Sequence, residues 1–267
     1  MAFADVEQGA GFILVTAWVV ALVVFTMRPA GHMPAWAGKA TAVGSGLAVV
    51  LFAAQAGVVD AVADPAFPAE LDRPVLVWFV DQRSPAWTWL MERVSDIGGT
   101  AGMTVLAVGA AVVLWWRSRR VESIAVVIAA AGSAVLVLAG KTLYGRSRPP
   151  APFQLVPEHN ASLPSGHALG SVVVLGMLAA VIWRTSSSVL VRVAAVTTAT
   201  ATTALIGMSR LYLGVHWFTD VLTGWLLGAT WLAVCLTVLA VRIRLGHGGA
   251  GLRAPAPTVA VSNEQLR

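Results

Sequence analysis

Seven apolar stretches, each roughly twenty residues long, dominate this chain, over 11–27, 40–59, 98–116, 122–140, 167–183, 189–208 and 217–241. A helix needs about 20 apolar residues to cross a hydrocarbon core about 30 Å thick. Inside lipid only helices and closed barrels can satisfy their own backbone. The pattern therefore predicts an all-α fold, a polytopic membrane helical bundle. Composition agrees, with 57% of residues hydrophobic and 12% charged, against about a quarter charged in soluble domains. The first stretch is the shortest fit to a span and reads as an extra N-terminal transmembrane helix added to a six-helix core. On this reading residues 1–66 hold the N-terminal transmembrane helices and 67–245 the core. The tail 246–267, rich in Gly, Ala and Pro and without periodicity, is expected to be disordered.

Charge placement gives an orientation. The net charge is +5, but the basic residues sit at the ends of apolar segments rather than on one polar face, which argues against a nucleic-acid partner. Arg117, Arg119 and Arg120 crowd one short turn, Arg184 and Arg192 flank another, and Arg242 and Arg244 follow the last stretch. Arg28 and Lys39 bracket the first connection. If seven helices alternate, all of these fall on one side, which the positive-inside bias makes cytoplasmic. The acid-bearing N-terminus, without the basic region of a cleavable signal, then lies outside. So does the stretch holding Asp60, Asp64, Glu70 and Asp72. Residues 68–95 mix Trp, Phe and Leu with charges, too polar to span but suited to an interfacial helix. Such a segment is either an aromatic-anchored connection or a lid beside a lipid entrance. The lone Cys235 rules out a disulfide framework and a cysteine metal site.

Ionisable residues within or beside spans are costly and usually functional. Here they form three groups, which the topology brings to one outer face. Lys141, Arg146 and Arg148, with Pro149, follow the fourth stretch. Arginine can fork two oxygens of a phosphate and lysine adds a compact charge, although a juxtamembrane headgroup-binding cluster looks similar. Pro164, Ser165, Gly166 and His167 stand before the fifth stretch. Ser165 reads as an N-cap, and the free N–H groups of a first helical turn, approached closely over Gly166, suit an anion beside His167. The alternative is a capped helix with an incidental histidine. Ser209 and Arg210 precede His216 and Asp220, whose i, i+4 spacing predicts neighbours on one face of the last helix. A carboxylate on one ring nitrogen leaves the other nitrogen free to attack. A structural His–Asp bridge would show the same spacing.

Together these segments resemble the signature of the type 2 phosphatidic acid phosphatase family, whose fold is shared with vanadium haloperoxidases. The family pattern is a Lys, six residues and Arg-Pro; then Pro-Ser-Gly-His; then Ser-Arg, five residues, His, three residues and Asp. Lys141, Arg148-Pro149, Pro164 to His167, Ser209-Arg210, His216 and Asp220 match it in order. The resemblance covers about 70–242 and implies a membrane lipid phosphatase. It implies that His216 attacks phosphorus to form a phosphohistidine, that Asp220 holds the His216 ring, and that His167 protonates the leaving lipid oxygen. It further implies that Lys141, Arg148 and Arg210 bind the phosphoryl oxygens, with Ser165, Gly166 and Ser209 assisting, and that neither metal nor cofactor is needed. The implied partners are a phosphorylated lipid substrate (phosphatidic acid, phosphatidylglycerophosphate or a polyprenyl diphosphate) and the membrane lipids around it. The implied location is the cell membrane, with the site facing the extracytoplasmic side. A transporter or channel would instead place charges near the bilayer midplane and show internal repeats, which the sequence lacks. A soluble haloperoxidase is at odds with the continuous spans, and a bare scaffold needs none of these polar groups.

Overall fold

The computed structural model describes residues 35–250, and these form eight α-helices without a strand among them. They are α1 (Ala35–Ala63), α2 (Asp72–Asp81), α3 (Pro85–Gly98), α4 (Thr100–Trp116), α5 (Arg120–Tyr144), α6 (Gly166–Thr185), α7 (Val189–Tyr212) and α8 (Phe218–Ala250). The expected span over 11–27 and the tail beyond Ala250 lie outside the described residues. The last helix continues past Gly246, where the tail was expected to begin, so 246–250 are helical.

Five helices are long and apolar enough to cross a membrane: Lys39–Ala63, Arg120–Tyr144, Gly166–Thr185, Val189–Tyr212 and Phe218–Ile243. The shorter α3 and α4 meet at a 47° bend between Gly98 and Thr100 and are apolar enough only taken together, as one broken span or a re-entrant loop. On its own α4 has 17 residues, a rise of about 26 Å, at the lower limit for a crossing. This revises the expected segment 68–95, which is not one interfacial element. Its first part is the short α2, and its second, α3, is a separate helix that runs into α4 through the bend. Trp78, Trp87 and Trp89 on these helices are exposed, as interfacial aromatics are.

The bundle centres on α6 and α8. Leu169, Val173 and Met177 of α6 are fully buried against Leu227, Trp231 and Leu239 of α8. With lipid as solvent, interhelical hydrogen bonds and close packing hold such helices together. Trp231 Nε1 donates to the Ala129 carbonyl at 2.9 Å, tying α8 to α5, and Ser123 Oγ donates to the Ala111 carbonyl at 2.7 Å, tying α5 to α4. Outward faces are bare hydrocarbon: Val105 and Val108 on α4, Val127 and Leu138 on α5, and Leu190 and Val193 on α7 are exposed. An apolar girdle of this extent marks a surface meant for lipid. The chain is a multi-pass membrane protein.

Candidate active site

The polar residues gather where α5 and α7 end and α6 and α8 begin. Lys141, His167, Arg210 and Asp220 each lie within three residues of such a helix end. Two loops complete the site, 145–165 after α5 and 213–217 after α7. Each loop starts with a glycine turn. Gly145, at φ +55°, closes α5 by donating its N–H to the Lys141 carbonyl at 3.2 Å, which turns the chain toward Arg146 and Arg148. Gly214, at φ +69°, packs so tightly that a side chain there would stand 2.0 Å from the Phe153 carbonyl oxygen. Arg83, in the turn before α3, secures this corner through the carbonyls of Tyr212 at 2.9 Å and Phe153 at 2.7 Å.

This corner places His216 ahead of α8, not on it; the helix starts at Phe218. The expected pairing with Asp220 forms nonetheless, because the non-helical turn carries the ring back over the first helical residues. His216 Nδ1 lies 3.3 Å from Asp220 Oδ2, and that same oxygen accepts the Trp217 N–H at 2.9 Å. On the far side of the ring, Arg148 Nη1 lies 3.3 Å from His216 Nε2. A guanidinium only donates, so Nε2 must offer its lone pair and the proton sits on Nδ1, facing Asp220. That tautomer leaves Nε2 without a proton, on the Arg148 side of the ring. Burial pushes the His216 pKa down to about 4, with Arg148 and Arg210 adding to the effect against the pull of Asp220. The ring is therefore neutral at ordinary pH.

Lys141, Arg148, Gly166, His167 and His216 line one cavity of about 350 Å³. His167, the second residue of α6, bonds the backbone of Ser95 through its ring. Ser165 Oγ accepts the Ala168 N–H at 3.5 Å as the N-cap of α6, so it shapes the helix start that Gly166 presents to the cavity. Ser209 is buried, and its hydroxyl donates to the Ile206 carbonyl of its own helix at 2.7 Å. A serine inside α7 satisfies its hydroxyl on the preceding turn. Beyond this charged floor the cavity continues between α4, α5 and α6 along Met103, Ala130, Ala134, Val137, Leu138 and Val174.

Two acids that sequence reasoning passed over belong to the site. Glu158 pairs with Arg210 and reaches Arg148 at 3.5 Å. Burial would raise its pKa, but Arg210 and Arg148 outweigh that and hold the carboxyl below its ordinary value. Asn160 Oδ1 takes Lys141 Nζ at 2.9 Å and Arg148 Nη2 at 2.6 Å. Three cations are thus covered by loop groups of opposite polarity. Asp72, which served above only as a marker of topology, is buried and paired to Arg146 at 2.6 Å. Arg146, grouped above with the phosphate-binding cations, also pairs with Asp220 at 2.6 Å and does not line the cavity. The motif spacing, a Lys, six residues and Arg-Pro, selects Arg148 over Arg146 but does not say what Arg146 meets. Only the fold does.

Residues 120–244 match the sequence profile of the PAP2 superfamily. The profile takes in all three motifs and α5 to α8, leaving α1 to α4 outside it. Among solved structures, the fold is similar to that of the first transmembrane PAP2 type phosphatidylglycerolphosphate phosphatase from Bacillus subtilis. That match has a TM-score of 0.64 at 22% identity, over 74% of this chain and 96% of the other. It is also similar to Aquifex aeolicus LpxE, with a TM-score of 0.50 at 21% identity, over 64% of this chain and 95% of that one. No curated protein sequence matches the chain at a significant level. The architecture is that of the PAP2 membrane phosphatases.

Proposed function

We propose that this chain is an integral membrane phosphatase of the PAP2 type that removes a terminal phosphate from a lipid by way of a phosphohistidine at His216. One observation carries the reading. A single cavity has two imidazoles and two cations at its polar end and runs on between apolar helices, so a phosphate and the start of a lipid tail fit it together. His216 Nε2 attacks phosphorus as the bond to the lipid oxygen breaks, and His167 gives that oxygen a proton. Water then attacks the phosphohistidine, returning a proton to His167, and inorganic phosphate leaves. Asp220 stabilises the ring while it carries the phosphoryl group, and Lys141, Arg148 and Arg210 neutralise the phosphoryl oxygens. Because one imidazole acts neutral and the other protonated, kcat follows a bell-shaped pH profile.

The charges lie at helix ends rather than mid-membrane, which favours an enzyme over a transporter or channel. The same alternation puts Arg117, Arg119, Arg184, Arg192 and Arg242 at the opposite end of the bundle, and under the positive-inside bias this supports a site on the extracytoplasmic side. The chemistry asks for no metal. The motifs grip the phosphate shared by phosphatidic acid, phosphatidylglycerophosphate and polyprenyl diphosphates, and family analogy leans toward phosphatidate or a polyprenyl diphosphate. The similar Bacillus protein is named for a third member of that set, so all three belong in the test. Phosphate release from each lipid, in detergent with EDTA, should be robust for at least one and absent in His216→Ala. A requirement for added divalent metal, or activity that survives the substitution, would remove the mechanism.

A further inference from the structure

Behind Asp220 lies a charged group that the reaction above does not use. Asp220 is wholly buried and its two oxygens face different partners. Oδ2 holds the Trp217 N–H and His216 Nδ1, whereas Oδ1 receives Arg146 Nη1 at 2.6 Å. The other arm of that guanidinium, Nη2, meets Asp72 Oδ2 at 2.6 Å. Asp72 also accepts the Thr219 N–H at 2.8 Å and the Thr219 hydroxyl at 2.7 Å, and that hydroxyl in turn accepts from Arg146 Nη1 at 2.8 Å. The guanidinium stands 5.7 Å from the centre of the Trp217 ring. Every polar contact of Arg146's side chain is therefore to a fixed group on α2 or α8, on the face of Asp220 away from the cavity.

We propose that Arg146 and Asp72 are positioning residues for the His216–Asp220 pair, fixing the relay carboxylate from the side remote from substrate. The inference rests on the assignment of His216 as nucleophile. An unclamped carboxylate can rotate and offer the ring either oxygen or none; a guanidinium on Oδ1 commits Oδ2 to His216. The charges also matter. Arg146 alone would neutralise Asp220 and weaken its hold on the ring proton. Asp72 cancels that cation, so Asp72, Arg146 and Asp220 together carry one negative charge, matching the one positive charge His216 acquires when phosphorylated. This gives α2 a role in the site: it brings a counter-charge to the rear of the relay.

The test uses full-length protein in detergent, with kcat, KM for the preferred lipid phosphate, and the inhibition constant of inorganic phosphate. In Arg146→Gln, kcat should fall about 10–100-fold, the range seen when the outer partners of a reactive site are lost. KM and phosphate inhibition should stay within about twofold, since the cavity cations are untouched. Arg146→Lys should recover part of the loss, and Asp72→Asn should show a smaller fall of the same kind. In an Asp220→Asn background, Arg146→Gln should add less than about a twofold further loss, because its effect runs through that carboxylate. An unchanged kcat would overturn the proposal. A rise in KM and weaker phosphate inhibition would make Arg146 a phosphate ligand instead, and full multiplicative loss in the Asp220→Asn background would reduce it to a fold contact. Should Arg146→Gln not accumulate as folded protein, Arg146→Lys and Asp72→Asn decide the matter by the same readouts. His216→Ala, assayed alongside, judges the nucleophile separately: activity there removes the reaction reading whatever the Arg146 variants do.

Discussion

Arg146 and Arg148 stand two residues apart on the loop after α5, yet they enter different surroundings. Arg146 turns to the rear of the relay and meets Asp72 and Asp220, carboxylates mounted on helices α2 and α8. Arg148 turns to the cavity, where its partners are the Asn160 and Val215 carbonyls, the Asn160 side chain and Glu158, all carried by loops. At the rear every charge is matched by a buried, fixed partner, and removing one strands the other. At the front the cations are covered by loop groups, which in the proposed reaction give way to the phosphate. Positive charge alone does not identify a phosphate ligand; the partner that already occupies it does.

The front should respond to substitution in a graded way. The largest expected effect is loss of turnover in His216→Ala, with the protein still folded and able to bind inorganic phosphate through Lys141, Arg148 and Arg210. Retained turnover would break the distinction between binding and attacking groups. Next, His167→Gln should lower kcat by about 10²–10⁴-fold, the usual worth of a positioned acid. The loss should shrink for a substrate whose leaving oxygen needs no proton, such as a nitrophenyl phosphate, and an equal loss there would remove the acid role.

A pH profile sharpens the comparison further. His216 must be neutral to attack, and its pKa is lowered to about 4 by burial. Activity measured as kcat/KM should therefore persist as pH falls below about 6.5, the ordinary imidazole value, and be lost only near 4. The same shift has a cost in stability. The unfolded chain takes up the proton first, so folded protein loses stability as pH drops from about 6.5 toward 4, and no further below that. An acid limb of kcat/KM at 6.5 would mean that the ring is more hydrated than its burial indicates.

The smallest expected effect has an unusual sign. Glu158 is an internal anion on Arg210 and Arg148, and its side chain keeps 24% of its exposure. In the proposed reaction the phosphate takes its place, so Glu158→Gln should tighten both KM and inhibition by inorganic phosphate. For a partly exposed pair worth 0.2–1 kcal/mol, the gain is at most about fivefold. Weaker phosphate inhibition in this variant would show instead that Glu158 orders the arginines for substrate.

How much of this was legible in the sequence follows from the range over which each feature acts. The spans came from runs of apolar residues, a local signal, and so did the caps at Ser165 and the basic turns. The joining of α3 to α4 was not legible, because Trp and Arg in 85–95 look interfacial whether the helix stands alone or leads into a span. The His216–Asp220 pair was read as helical spacing, but it arises from a loop folded back at Gly214, whose turn depends on contact with Phe153 far along the chain. The motif letters include Ser209 but give no sign that its hydroxyl donates to its own helix. Asp72 and Glu158 lie outside the motifs; their only signal was that an acid buried near a membrane needs a partner, and no spacing names which one.

The most direct test of the central claim is to trap the phosphorylated enzyme. Wild-type protein mixed rapidly with lipid carrying a labelled terminal phosphate, then quenched in alkali, should hold label that is stable to base and lost in acid, on the peptide containing His216. His216→Ala should show neither label nor turnover. Label on any other residue, or turnover that continues in His216→Ala, would contradict the account.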